Sequence, residues 1–134
     1  VPLGQKYPQS RKIYNHFIQL HKKGYYKSLL GLICIAPNVS KDIDVVNLFG
    51  QERIYSIMKD GEIIIPLDYV ALRKGFETIV DSYASEYSYK PVPITVHMPR
   101  IGCGLAGGDW NKVEKIINET LIDKDIEVYV YDLK

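Results

Sequence analysis

The sequence predicts an α/β sandwich built on a partly parallel sheet, and three observations predict it. Apolar runs of strand length (29–36, 43–49, 94–98 and 126–131) alternate with stretches whose apolar residues recur at helical spacing. The runs are largely apolar throughout instead of alternating with polar residues, the pattern of strands covered on both faces. A loop holding Gly102, Gly104, Gly107 and Gly108 joins one of these strands to a helix.

Each element follows from local chemistry. Pro8 suits the first position of a helix, where its missing N–H costs nothing, and Ile13, Phe17 and Leu20 form an apolar stripe flanked by Tyr14, Ile18 and His21. Lys22, Lys23 and Gly24 supply a cationic last turn and a terminating glycine. The run 29–36 ends at Pro37-Asn38, and the run 43–49 breaks at Gly50. Residues 51–60 are polar and mixed, Asp60-Gly61 is a turn pair and Ile63-Ile64-Ile65 is too short to assign, so 51–65 reads as a loop with room for a small hairpin. Pro66-Leu67-Asp68 opens a second helix whose apolar face is Leu72, Phe76, Ile79, Val80 and Tyr83; Gly75 inside it costs about 1 kcal/mol relative to Ala. A Pro/Ser/Tyr-rich linker at 85–93 leads to the strand 94–98. A third helix with Val113, Ile116, Ile117 and Leu121 on one face precedes the last strand.

The composition bounds the function. At 134 residues the chain is one domain's length. Seventeen Lys and Arg against sixteen Asp and Glu leave a net charge of +1, which argues against a nucleic-acid-binding footprint. The longest apolar run is strand-length and contains Gly31, so no membrane span is expected. Cys34 and Cys103 are too few for a disulfide framework and lack zinc-type spacing, which makes a cytoplasmic setting the expectation and gives no reason to expect a metal or cofactor.

The chemistry concentrates between Met98 and Trp110. Glycines let backbone N–H groups converge and let a ligand approach with no Cβ in the way, and the helix that follows adds unpaired N–H groups and a positive dipole end. Together these make an anion site of the kind that takes phosphate. The alternative is a plain tight turn with Asp109 capping the helix. Gly102-x-Gly104-x-x-Gly107 also matches the dinucleotide fingerprint, with Asp132 as the acidic residue, but that fingerprint belongs to the first strand–helix unit and here it falls in the last.

Pro99-Arg100-Ile101-Gly102-Cys103-Gly104-Leu105, followed by Gly107-Gly108-Asp109-Trp110, resembles the signature loop of macro domains, most closely the branch of ADP-ribose-1''-phosphate phosphatases and ADP-ribosyl hydrolases. Asn47-Leu48-Phe49-Gly50-Gln51 and the final 128–133 resemble other parts of that branch, so the resemblance spans 1–134 as a single ADP-ribose-binding domain. It implies a three-layer α/β/α sandwich with a mixed sheet. It implies too that strands and an Asn/Gly loop ahead of the position matching Val1 are missing, making the chain a fragment or a fold completed by another chain. The ligand implied is ADP-ribose or ADP-ribose-1''-phosphate, free or on an ADP-ribosylated protein. Its contacts would be Phe49, Arg100, Ile101, Gly102, Cys103, Gly104, Leu105, Ala106, Gly107, Gly108, Asp109 and Leu133. Members that remove ADP-ribose from glutamate carry a Lys and an Asp where this chain has Gln51 and Ala106, and neither Gln nor Ala can act as nucleophile or base, so that mechanism is not expected.

Individual candidates have two readings each. Cys103 is either a thiol activated by the helix N-terminus or a packing residue, and packing is favoured. His97, inside an apolar strand, is expected to be a satisfied core histidine more than a catalytic one, and His16 and His21 ride the first helix. Phe49 stands at a strand end, where it either covers a ribose or base or packs. No catalytic base is identified. The function divides between hydrolysis of ADP-ribose-1''-phosphate, with loop N–H groups stabilising developing charge, and a binding module without turnover.

Overall fold

The computed structural model describes residues 6–51, 57–83, 94–104 and 107–132. Helix α1 runs Pro8–Lys22 with proline in its first turn. It ends where Gly24 takes φ +87° and the N–H of Tyr25 donates to the Leu20 carbonyl at 3.1 Å. Strands β1 (Ile33–Ser40) and β2 (Ile43–Leu48) form an antiparallel hairpin.

The first apolar run is divided. Leu29 to Leu32 close a turn, with the N–H of Leu32 donating to Leu29 and Gly31 at φ +82°, and the strand begins only at Ile33. It continues past Pro37 because the ladder is irregular between Ala36 and Ser40, a place where a residue without an N–H costs no pairing.

Strands β3 (Ile57–Lys59) and β4 (Glu62–Ile64) make the small hairpin, with Asp60 at φ +52° and Gly61 at φ +80°, the two left-handed positions of a type I′ turn. Helix α2 spans Tyr69–Tyr83. The Asp68 carboxylate caps it, accepting from the N–H of Ala71 at 3.0 Å. The glycine within it has a packing reason: a Cβ on Gly75 would lie 2.4 Å from Leu48 Cδ1. Strand β5 (Thr95–Pro99), helix α3 (Trp110–Thr120), a short 3₁₀ turn (Ile122–Lys124) and β6 (Glu127–Tyr131) complete the chain. The linker expected at 85–93 lies outside the described residues.

The layers are helix, sheet, helix. Under α1, Leu29, Cys34 and Phe49 form a cluster with Ile13, Phe17 and Ile18. Leu72, Phe76 and Ile79 of α2 and Val113, Ile116 and Ile117 of α3 form the larger core, onto which Ile33, Val46 and Leu48 pack from the β1–β2 hairpin and Val96, Met98 and Val128 from β5 and β6. The apolar faces expected of both helices are the faces buried. This is an α/β fold with both parallel and antiparallel pairing. Among the described residues the ladders come as three two-stranded pieces, of which β5–β6 alone is parallel. No helix among them is long and apolar enough to cross a membrane.

His97 differs from expectation. It is exposed on the face of β5–β6 opposite the core, stacked on Tyr129 at 4.8 Å and Tyr131 at 5.7 Å between ring centroids. Its Nδ1 lies 2.8 Å from the Tyr131 hydroxyl and its Nε2 lies 3.2 Å from Thr95 Oγ1. An apolar strand sequence buries only the face that helices cover, and here α2 and α3 cover the other one.

Candidate functional site

Because β5 and β6 are parallel, their carboxyl ends emerge at the same edge, with Pro99 paired to Tyr131. In open α/β sheets that edge is where ligands sit. The glycine loop starts there and ends at α3, whose N-cap is Asp109: its carboxylate accepts from the N–H of Asn111 at 2.9 Å. The capping role expected of Asp109 is therefore met.

The loop folds on itself. The N–H of Gly108 donates to the Gly102 carbonyl at 2.8 Å, that of Gly107 to Gly104 at 3.0 Å, and that of Cys103 to Arg100 at 3.3 Å. The Asp109 N–H donates to the Tyr69 hydroxyl at 2.9 Å. Four donors that the sequence offers to an anion are thus spent on holding the loop. Among the described residues, the N–H groups of Gly102 and Gly104 have no such partner.

Two kinds of glycine result. Gly102 stands at φ +74°, and a Cβ there would lie 2.7 Å from Leu67 Cδ1. On Gly108 a Cβ would lie 2.4 Å from Leu67 Cδ2 and 2.6 Å from the Gly102 carbonyl oxygen. These two make room for a side chain already present. Gly104 is different: among the described residues a Cβ there would meet nothing within 4 Å.

Leu67 is the wedge under the loop, and it is 5% exposed. It is held there by an isolated bridge to Gln51 and by the N–H of Asp68 donating to the Gly50 carbonyl at 2.8 Å. A cleft of about 400 Å³ is lined by Leu30 and residues 64–70, including the Leu67 and Tyr69 that touch the loop. Leu67 and Tyr69 escape the sequence reading because their roles are set across about 40 residues of chain, and the only local hint is the helix start at Asp68.

Arg100 leaves β5 and pairs with Asp132 at 2.5 Å, its guanidinium lying 5.1 Å from the centre of the Trp110 ring. Burial pushes the Cys103 thiol up from its ordinary value; the Arg100 cation pulls the other way and the Asp109 carboxylate adds to the rise. Its Sγ donates to the Ile101 carbonyl at 3.5 Å. The thiol is therefore held in its protonated form, in line with the packing role.

The structure brings Arg100, Ile101, Gly102, Cys103, Gly104, Gly107, Gly108 and Asp109 together. Leu105, Ala106 and Leu133 lie outside the described residues. Phe49 is not part of this group: its ring, 9% exposed, stacks on Tyr14 at 5.4 Å and Phe17 at 6.3 Å beneath α1. Among the described residues no three His, Cys, Asp or Glu side chains gather where they could hold a metal ion.

Solved structures share this architecture. A protein of unknown function from Bacteroides thetaiotaomicron is 37% identical with a TM-score of 0.77, the match covering 98% of this chain and 74% of that one. A second structure from the same organism is 36% identical with a TM-score of 0.76, covering 98% and 76%. A macrodomain protein from Streptomyces coelicolor is 28% identical with a TM-score of 0.68, covering 98% and 75%. No family model and no curated protein matches the chain.

Proposed function

From the macro-domain fold that the chain adopts, we propose that it binds ADP-ribose or a derivative of it, with a phosphate seated over the backbone of Gly104. The observation that carries this reading is the contrast among the loop glycines. Gly102 and Gly108 are filled from below by Leu67, whereas the space above Gly104 is open and its N–H is uncommitted among the described residues. The loop is braced at both ends, by its own hydrogen bonds and by Tyr69, so its donors are held in place before a ligand arrives. The N-terminus of α3 adds its positive end.

The same arrangement suits hydrolysis of ADP-ribose-1''-phosphate: the loop would fix the terminal phosphate and its N–H groups would stabilise charge as water attacks. The non-catalytic reading also has a specific observation behind it. Within the loop the Asp109 carboxylate is occupied as a cap and the Cys103 thiol is held protonated, so neither is evident as a base. An ADP-ribosylated protein would present the same group to either version of the site.

Calorimetric titration with ADP-ribose, with NAD as comparator, tests the binding. Micromolar affinity for ADP-ribose and none for NAD is the expected outcome; a folded chain that binds neither overturns the proposal. Phosphate release from ADP-ribose-1''-phosphate then separates enzyme from module.

A further inference from the structure

Arg100 and Asp132 stand one step beyond the last paired residues of β5 and β6, at the carboxyl edge of the parallel pair. The contact runs from Nε of the guanidinium to Oδ1 of the carboxylate. An arginine carries five N–H donors, and this contact uses the one on Nε. The terminal nitrogens make no hydrogen bond or ion pair among the described residues. Both side chains are well exposed, at 50% and 70%, and an ion pair so open to water adds little to stability. Holding the fold together is therefore a poor explanation for the pair.

What the pair does is fix a direction. Asp132 holds the guanidinium by its Nε edge and Trp110 lies against it at the first residue of α3, so its remaining donors are oriented beside the glycine loop. A planar fork held this way loses less freedom when it meets a phosphate than a free side chain would. The Arg100 charge is also felt at the loop, since it acts on the Cys103 thiol.

We infer that Arg100 is the residue that selects a ligand ending in a phosphate monoester over the same ligand without it, and that Asp132 orients Arg100 while moderating its charge. This rests on the reading of the loop as an ADP-ribose site. Arg100 supplies a cationic contact that only a terminal dianion exploits fully, while the pyrophosphate and ribose are held by the backbone donors of the loop. Asp132 repels that dianion while it steadies the arginine, so removing its charge shifts preference toward the more anionic ligand.

The test is calorimetric titration of the full chain with ADP-ribose and with ADP-ribose-1''-phosphate, at fixed ionic strength. The variants are Arg100→Gln, Arg100→Lys and Asp132→Asn, each with a thermal unfolding curve. The quantity read is the ratio of the two affinities, which a merely structural role would leave unmoved. The original chain should favour the phosphate ester. Arg100→Gln should lower the ratio about tenfold, in line with losing a hydrogen bond to a charged group. Arg100→Lys should restore part of it, and Asp132→Asn should raise it about threefold. Equal losses for both ligands, or an unchanged ratio in both Arg100→Gln and Asp132→Asn, would overturn the inference while leaving the ADP-ribose reading intact. An original chain that binds neither ligand would remove both.

Discussion

Replacing Gly104 with valine and Gly108 with alanine separates the two jobs the glycine loop performs. At Gly104 an added Cβ meets nothing within 4 Å among the described residues and the backbone is not in the left-handed region, so the fold should tolerate the substitution. The unfolding temperature should stay within about 2 °C of the original, the range of a neutral surface change. The valine methyls would occupy the space above the Gly104 N–H, so affinity for ADP-ribose should fall at least about a hundredfold, or roughly 3 kcal/mol. At Gly108 the opposite holds. The new Cβ would lie 2.4 Å from a Leu67 methyl and 2.6 Å from a backbone oxygen hydrogen-bonded to the same residue. Leu67 is buried and the oxygen cannot retreat without breaking the loop, so overpacking of about 2 kcal/mol is expected. For a chain of this size that is roughly 6–10 °C in unfolding temperature. Differential scanning fluorimetry and calorimetric titration read the two quantities independently. The reasoning fails if Gly104→Val binds ADP-ribose like the original chain, or if Gly108→Ala melts where the original does.

Three further outcomes follow from the contacts around the loop. Asp68→Ala removes the cap of α2 and should cost about 1 kcal/mol, seen as a lower midpoint in urea with an unchanged slope. Tyr69→Phe deletes the acceptor for the Asp109 N–H; that amide should exchange with solvent faster while the core amides of α2 keep their protection, and unchanged exchange at Asp109 would show the bond to be absent in solution. Because burial raises the Cys103 thiol above its ordinary value, little thiolate is present near neutral pH, and alkylation by iodoacetamide should be slower than for a free thiol. Arg100 opposes that rise, so Arg100→Gln should slow the reaction further; a faster reaction in the variant would contradict the sign.

What the sequence makes legible is whatever is decided locally. The apolar stripe of α3, the cap at Asp109 and the turn at Asp60-Gly61 each depend on residues a few positions apart, and the structure has them where the pattern puts them. The run 29–36 is misread at its start because Leu29 is buried in a turn, and periodicity cannot tell a buried turn from a buried strand. His97 is misplaced because an apolar strand sequence does not say how many of its faces are covered. Phe49 occupies the strand end it was expected to occupy, yet its ring turns to Tyr14 and Phe17, residues no local pattern connects to it. The glycines of the site were legible as a group. That Gly102 and Gly108 serve Leu67 while Gly104 is left open could be seen only once the chain between them and Leu67 had folded.

The two main pieces of sheet also differ in how far the chain must travel to make them. The hairpin of β1 and β2 closes across a turn at Lys41 and Asp42, an event of roughly microseconds in isolated hairpins. Pairing β5 with β6 joins residues about 30 positions apart, and closing that longer loop costs roughly 2 kcal/mol more in chain entropy than closing the turn. Helix α3 lies within that interval, so its formation shortens the search. The Arg100–Asp132 contact and the orientation of the glycine loop depend on the slower closure. On this reasoning the edge proposed to carry the site is expected to assemble after the hairpin, and a phosphate-bearing ligand that grips it should act chiefly by slowing the unfolding rate, not by speeding folding.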